Sequence, residues 1–203
     1  MDENSCPCCG TEWSSAKYTQ WIDSVTAPLP DELAGALSTF TQDIPVHSLS
    51  EWAAIVRRST GGTLTVDELC VVPNESPHYG IVDGNRFDFA CCVDAIILAV
   101  LTEKSVDIWT RSPHGSTIEL HASAEGDVTP RPIDTVFSFG VDENLRRAKP
   151  PTLEDAYQAI CPYVQAFPDI TAYRTWDDAH DIQTIVFSPS TATSLAQELV
   201  AHD

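Results

Sequence analysis

Hydrophobic and polar positions along the chain change period several times, and each change predicts an element. Phe87 and Phe89 alternate with Asp88 and Ala90, the two-residue period of a half-buried strand. From about Cys92 to Leu101 the apolar run is too long and too rich in Ala and Leu for a strand, so a buried helix is expected. Upstream, Ala16–Val25 and Asp31–Phe40 carry weak helical patterns separated by Pro28-Leu29-Pro30. Ser48-Leu49-Ser50-Glu51 has the form of a capping box opening a helix through Arg58, with Gly61-Gly62 as its stop. Thr65–Glu68 repeats that pattern at a short turn of helix. Hairpins are expected at His78–Val82 with Arg86–Phe89, around Asp83-Gly84-Asn85, and at Val106–Arg111 with Thr117–Ala122, around Ser112–Gly115.

Further on, Asp134–Val141 reads as a strand, and Pro150-Pro151 breaks the chain. A helix follows from Thr152 to Ile160, ending at Cys161-Pro162, and Tyr163–Phe167 is extended. Ile170–Ala179 is helical, Thr184–Ser188 a strand, and Pro189–Ala201 an amphipathic closing helix. Mixed strands and helices without a βαβ rhythm predict an α+β fold. The expected organisation is a mobile Cys-rich segment (1–15), a small helical, winged-helix-like module (16–79), and a mixed α/β core with antiparallel hairpins (80–203).

Composition narrows the class. With 203 residues, 43% of them hydrophobic, the chain can bury a substantial core. No apolar stretch approaches ~18 residues, so no membrane span is expected. The acidic start, Met-Asp-Glu-Asn, lacks an apolar signal core, which predicts a cytoplasmic protein. Acids outnumber bases 30 to 11, a net charge of −19, and Lys17, Lys104 and Lys149 are the only lysines. This sign repels nucleic acid, and Arg57-Arg58 is too small a basic patch to make the helical module a DNA reader. A distributed acidic excess is instead the mark of a halophilic habitat.

Seven cysteines, an odd number in an expected reducing compartment, argue against a disulfide framework and for soft-metal or thiolate chemistry. Cys6, Pro7, Cys9 and Gly10 form a C-P-x-C-G run like one knuckle of a zinc ribbon, with Cys8 inside it. A closed zinc site needs four ligands and no second knuckle follows. These thiols are therefore half a shared site, a remnant, a trap for soft metals, or a metal-free tail. Cys91 and Asp94, three apart, place a thiol and a carboxyl on one face of the first turn of the central helix. The positive helix end there favours a thiolate. The plainer reading makes Cys91 a small buried hydrophobe and Asp94 a first-turn acid. Cys92 points about 100° away and is assigned to packing, and Cys70, between Leu69 and Val71, is expected to be buried and inert. None of the six histidines has ligand spacing.

The segment Asn85–Leu101 resembles the core of organomercurial (alkylmercury) lyases, in which a strand leads to a cysteine, two spacers and an aspartate at a helix start, here Cys91-Cys92-Val93-Asp94. The likeness continues through Cys161–Phe167, a helix with Trp176, and a closing strand–helix pair, spanning roughly Gly80 to Val200. Where the family often has a cysteine pair at the second site, Pro162 follows Cys161, and the pair falls at the first site as Cys91-Cys92. The resemblance implies protonolysis of carbon–mercury bonds to a hydrocarbon and Hg(II), with Cys91 and Cys161 as mercury ligands and Asp94 as proton shuttle. It implies no organic cofactor, since mercury enters as substrate; zinc at Cys6, Cys8 and Cys9 is a side option. Expected partners are a small organomercurial, then a mercuric reductase or low-molecular-weight thiols receiving Hg(II), with no nucleic acid and no membrane. The alternative is a carrier of mercury, copper or zinc that uses the same thiols without cleaving a bond, and such a carrier has no need of Asp94.

The charge supplies a direct test. At ~0.01 M salt the Debye length grows to ~30 Å, so distant surface carboxylates repel one another. Unfolding midpoints measured from low to molar salt rise steeply if the acids are unscreened; a flat profile means they are paired locally.

Overall fold

The computed structural model describes residues 19–59, 64–69, 71–145 and 153–201. The expectations for Cys6–Gly10, Gly61-Gly62, Cys70 and Pro150-Pro151 lie outside the described residues.

The first element, β1 (Trp21–Ile22), lies within the helix expected over 16–25, and the described part of that segment, 19–25, contains no helix. The physical reason is local. The Ser24 hydroxyl accepts from the backbone N–H of Thr26 (3.2 Å), and the Ser24 carbonyl accepts from Ala27 N–H (3.1 Å), which turns the chain before a helix can propagate. Helix α1 (Asp31–Phe40) is as expected and buries Leu33, Leu37 and Phe40. Helix α2 (Leu49–Ser59) follows the capping pattern: Ser48 Oγ accepts from Glu51 N–H (3.2 Å). Glu51 reaches back one residue further than a standard box, to the His47 N–H (2.6 Å).

The hairpin β2 (His78–Val82) and β3 (Asn85–Phe89) leads into α3 (Cys92–Thr102). Next come β4 (Val106–Arg111), β5 (Thr117–Ala122), β6 (Val128–Arg131) and β7 (Val136–Gly140). The last elements are α4 (Leu153–Ala159), β8 (Ala166–Phe167), α5 (Ile170–Asp177), β9 (Thr184–Phe187) and α6 (Pro189–Val200). Two sheets result, and the fold is α+β. One is antiparallel, ordered β3-β2-β4-β5-β6; in the other, ordered β1-β9-β7-β8, only the β1–β9 pair is parallel. Because β2 also pairs with β4, the hairpin after the two helices is built into the five-stranded sheet. Strand β6 was not foreseen; Pro130 breaks its pattern, and it is accommodated because β6 is an edge strand.

The two sheets are buried differently. Strands β4 and β5 alternate buried and open positions, whereas β7 and β9 are buried throughout. Phe137, Phe139, Ile185 and Phe187 face the main core, and Val136 and Val186 face a small cluster with Phe167 and Tyr173. Helix α3 runs through the main core with Cys92–Ala99 all buried, packed on β2, β3, β4 and α6. Gly80 permits the close fit: a Cβ there would meet Val106 Cγ1 at 2.8 Å and Ala95 Cβ at 3.5 Å. Helix α2 docks on α6, where Arg57 donates to the Glu198 carbonyl and lies 3.5 Å from its carboxylate. Among the described residues no helix is long and apolar enough to cross a membrane.

Inside the five-stranded sheet His78 is buried, its Nδ1 2.6 Å from Thr110 Oγ1, and desolvation pulls its pKa from 6.5 down to about 4. Between those values the unfolded chain takes up a proton that the folded chain refuses, so stability falls as pH falls. From pH 7.5 to 5.5 this one residue costs about 1.4 kcal/mol. Thermal midpoints should drop by a few degrees over that interval in the wild type and by less in His78→Gln; equal drops would refute the assignment.

Candidate active site

Cys91 is the N-cap of α3 (φ −142°, ψ 163°), one step before the first turn where the sequence placed it. Its backbone is extended, two residues past the end of β3 and beyond a bend at Ala90, and its thiol donates to Asp94 Oδ2 at 2.8 Å. In a capping box the third helical residue reaches back to the N-cap backbone; here Asp94 holds the N-cap side chain instead.

Cys161 opens a 3₁₀ turn, Cys161–Tyr163, between α4 and β8. Ser138 of β7 anchors that turn. Its hydroxyl donates to the Tyr163 carbonyl (2.8 Å) and accepts from Gln165 N–H (3.2 Å), while its own N–H donates to the Gln165 carbonyl (2.9 Å). Cys92 supports it from the other side, with Sγ 3.9 Å from the Val164 carbonyl. The second cysteine of the pair thus packs between helix and turn.

The fold brings Cys91 Sγ, Asp94 and Cys161 Sγ together, with their ligand atoms all within 4.8 Å of one another. Two metal–sulfur bonds of ~2.3 Å span ~4.6 Å, so one ion can bridge both sulfurs. Each of the three residues is 5–6% exposed. They face a cavity of about 80 Å³ whose other walls are Trp52, Val93, Ile97, Phe139, Ala156, Ile160, Val164, Leu195 and Leu199. No Lys, Arg or His is among these lining residues. A single water needs ~10–15 Å³, so the space admits a small organic group.

The Cys91 thiol is held well above its ordinary pKa, by its hydrogen bond with Cys161, by burial, and by the Asp94 charge. Cys92 is raised as well, by burial first. The thiolate expected from the helix end is therefore outweighed: Cys91 is a thiol bonded to a carboxylate. That arrangement keeps a proton on sulfur with a carboxylate beside it.

A family model for alkylmercury lyase matches residues 73–201. The chain belongs to the alkylmercury lyase family. Its activity is that of an organomercurial lyase, cleaving carbon–mercury bonds. Among solved structures, the mercury-bound form of MerB2 is similar at a TM-score of 0.52 and 17% identity, over 84% of this chain and 91% of that one. At that identity the likeness speaks for the fold. No curated protein matches the sequence.

The alkylmercury lyase match contains Cys91, Asp94 and Cys161 together with α3, α4 and α6, but not α2. The helix that carries Trp52 into the cavity is thus contributed from outside the matched region. Sequence reasoning left Trp52, Phe139, Leu195 and Leu199 unmarked, because each reads as ordinary core. Val93 and Ile97 lie within six residues of Cys91 on the same helix, the one local signal that could have marked part of the wall.

Proposed function

We propose that Cys91 and Cys161 are the mercury ligands and Asp94 the proton carrier of this lyase. One observation supports it above the rest: a thiol hydrogen-bonded to a carboxylate at 2.8 Å, with a second thiol inside 4.8 Å, in an apolar cavity.

The steps balance as follows. An organomercurial R–Hg–X exchanges X for sulfur at one thiol, and that thiol's proton leaves with X as HX. The second thiol bonds mercury and passes its proton to Asp94. Soft thiolates are mercury's preferred ligands, and two of them load electron density onto the metal, weakening its bond to carbon. The carbon departs with the bonding pair and takes the proton from Asp94, giving R–H and Hg(II) bound by two thiolates. The apolar lining lowers the local dielectric and favours passage of that proton from carboxyl to carbon. No organic cofactor has a part in this balance.

In this reading residues 80–203 hold the chemistry, 16–79 supply one wall of the pocket, and 1–15 are an accessory. The thiols need a reducing setting to stay free, in keeping with a cytoplasmic enzyme. Cys6, Cys8 and Cys9 would take part after cleavage, holding Hg(II) or zinc and passing mercury to a mercuric reductase or small thiols. The carrier reading shares the thiols but leaves Asp94 without a task.

The test is phenylmercury turnover followed by hydrocarbon release, beside Hg(II) titration of each variant. Asp94→Ala should lower cleavage ~10²–10⁴-fold, the usual worth of a positioned proton donor, with Hg(II) binding nearly intact. Cys91→Ser and Cys161→Ser should each lose both, because a hydroxyl is a hard, neutral ligand. Deleting residues 1–15 should leave single-turnover cleavage unchanged and speed the loss of Hg(II). Wild-type cleavage rates in Asp94→Ala would remove the proton role from Asp94, whereas Hg(II) binding without hydrocarbon release in the wild type would favour the carrier.

A further inference from the structure

The cavity's walls carry information about the organic half of the substrate, which the chemistry at sulfur does not use. Ten of its lining residues are buried, and only Trp52 and Ala156 are partly exposed. The least enclosed parts of the wall are therefore Trp52 of α2 and Ala156 of α4. Trp52 is not loosely placed. Its ring meets Phe139 of β7 edge-on, with centroids 5.0 Å apart at 67°. Its helix is tied to α6 by Arg57 and Glu198, one turn and less from the lining residues Leu195 and Leu199.

Once mercury sits on Cys91 and Cys161, the space left for the organic group is bounded by Asp94 and by apolar side chains, two of them aromatic. Aromatic rings meeting edge-to-face or offset gain more than their buried area provides. We propose that Trp52 is the residue that sets substrate class, selecting organomercurials with a flat aromatic substituent, such as phenylmercury, over short alkyl ones such as methylmercury. This inference rests on the lyase reading of the thiol pair and adds the identity of the leaving group. Trp52 has no part in binding mercury or moving the proton in this reading, so its contact with the organic group is the same before and during cleavage. It therefore acts on KM rather than kcat.

The experiment compares kcat, KM and Hg(II) stoichiometry for phenylmercury and methylmercury in the full chain, as wild type, Trp52→Phe and Trp52→Ala. Even one methylene in an apolar pocket changes specificity ~10–200-fold, so the larger difference between phenyl and methyl is readable. The wild type should favour phenylmercury in kcat/KM. In Trp52→Ala that preference should shrink by about 10-fold or more, chiefly through a higher KM for phenylmercury. Trp52→Phe should retain most of it. Hg(II) stoichiometry should hold in all three, which separates loss of the wall from loss of the fold. A preference unchanged in both variants overturns the proposal, and so does one that increases, since the indole would then be a barrier rather than a wall. A fall in kcat equal for both substrates would make Trp52 merely structural. A wild type that binds Hg(II) but cleaves neither compound would sink the lyase reading first, a result distinct from any of these.

Discussion

The thiol–carboxylate hydrogen bond between Cys91 and Asp94 is the contact on which the rest of the site depends. A buried carboxylate is costly unless donors surround it, and a buried thiol is a poor nucleophile unless a base stands by. Each group answers the other's need, at the one place in a helix where unpaired N–H groups also favour negative charge. The 2.8 Å contact thus makes a polar pair tolerable inside an apolar core. It also defines the resting state: burial and neighbours keep the Cys91 proton on sulfur. In the proposed reaction this proton has a carboxylate 2.8 Å away to receive it.

Everything around this pair serves to hold a second sulfur still. Cys161 lies on a short 3₁₀ turn, which by itself specifies little. Ser138 pins the turn to β7 by three hydrogen bonds, and Cys92 fills the gap between the turn and α3. The double cysteine therefore divides its labour by helical geometry: one thiol opens on the cavity, and its neighbour braces the opposite wall. The four-stranded sheet, buried on both faces, gives this assembly a rigid floor.

How much of this was legible depended on the range of the interaction. The hairpins and α3 were readable because alternation and a long apolar run are local signals with no competing pattern. Over 19–25 the expected helix is absent because the chain turns at Ser24 and because β1 pairs with Val186-Phe187 at the far end of the chain, which the local pattern does not show. Strand β6 was hidden by Pro130. In the site, the spacing of Cys91 and Asp94 is local and was visible. Cys161, seventy residues from Cys91, was reached only through a family resemblance. Trp52 was invisible in either way. It sits in an amphipathic helix outside the family match, where nothing in its sequence neighbourhood separates a pocket wall from an ordinary core contact. Likewise the thiolate expected at the helix end failed because the hydrogen bond with Cys161 and burial, both tertiary effects, join the nearby Asp94 charge in outweighing the dipole.

The central claim is that one mercury ion is held by two particular sulfurs. X-ray absorption of the Hg(II)-loaded chain, with Cys6, Cys8 and Cys9 replaced by Ser, addresses it most directly. The account predicts two sulfur neighbours, falling to one in Cys91→Ser and to one in Cys161→Ser, with Cys92→Ser unchanged. Two sulfurs persisting after either replacement, or a loss of sulfur in Cys92→Ser, would contradict it.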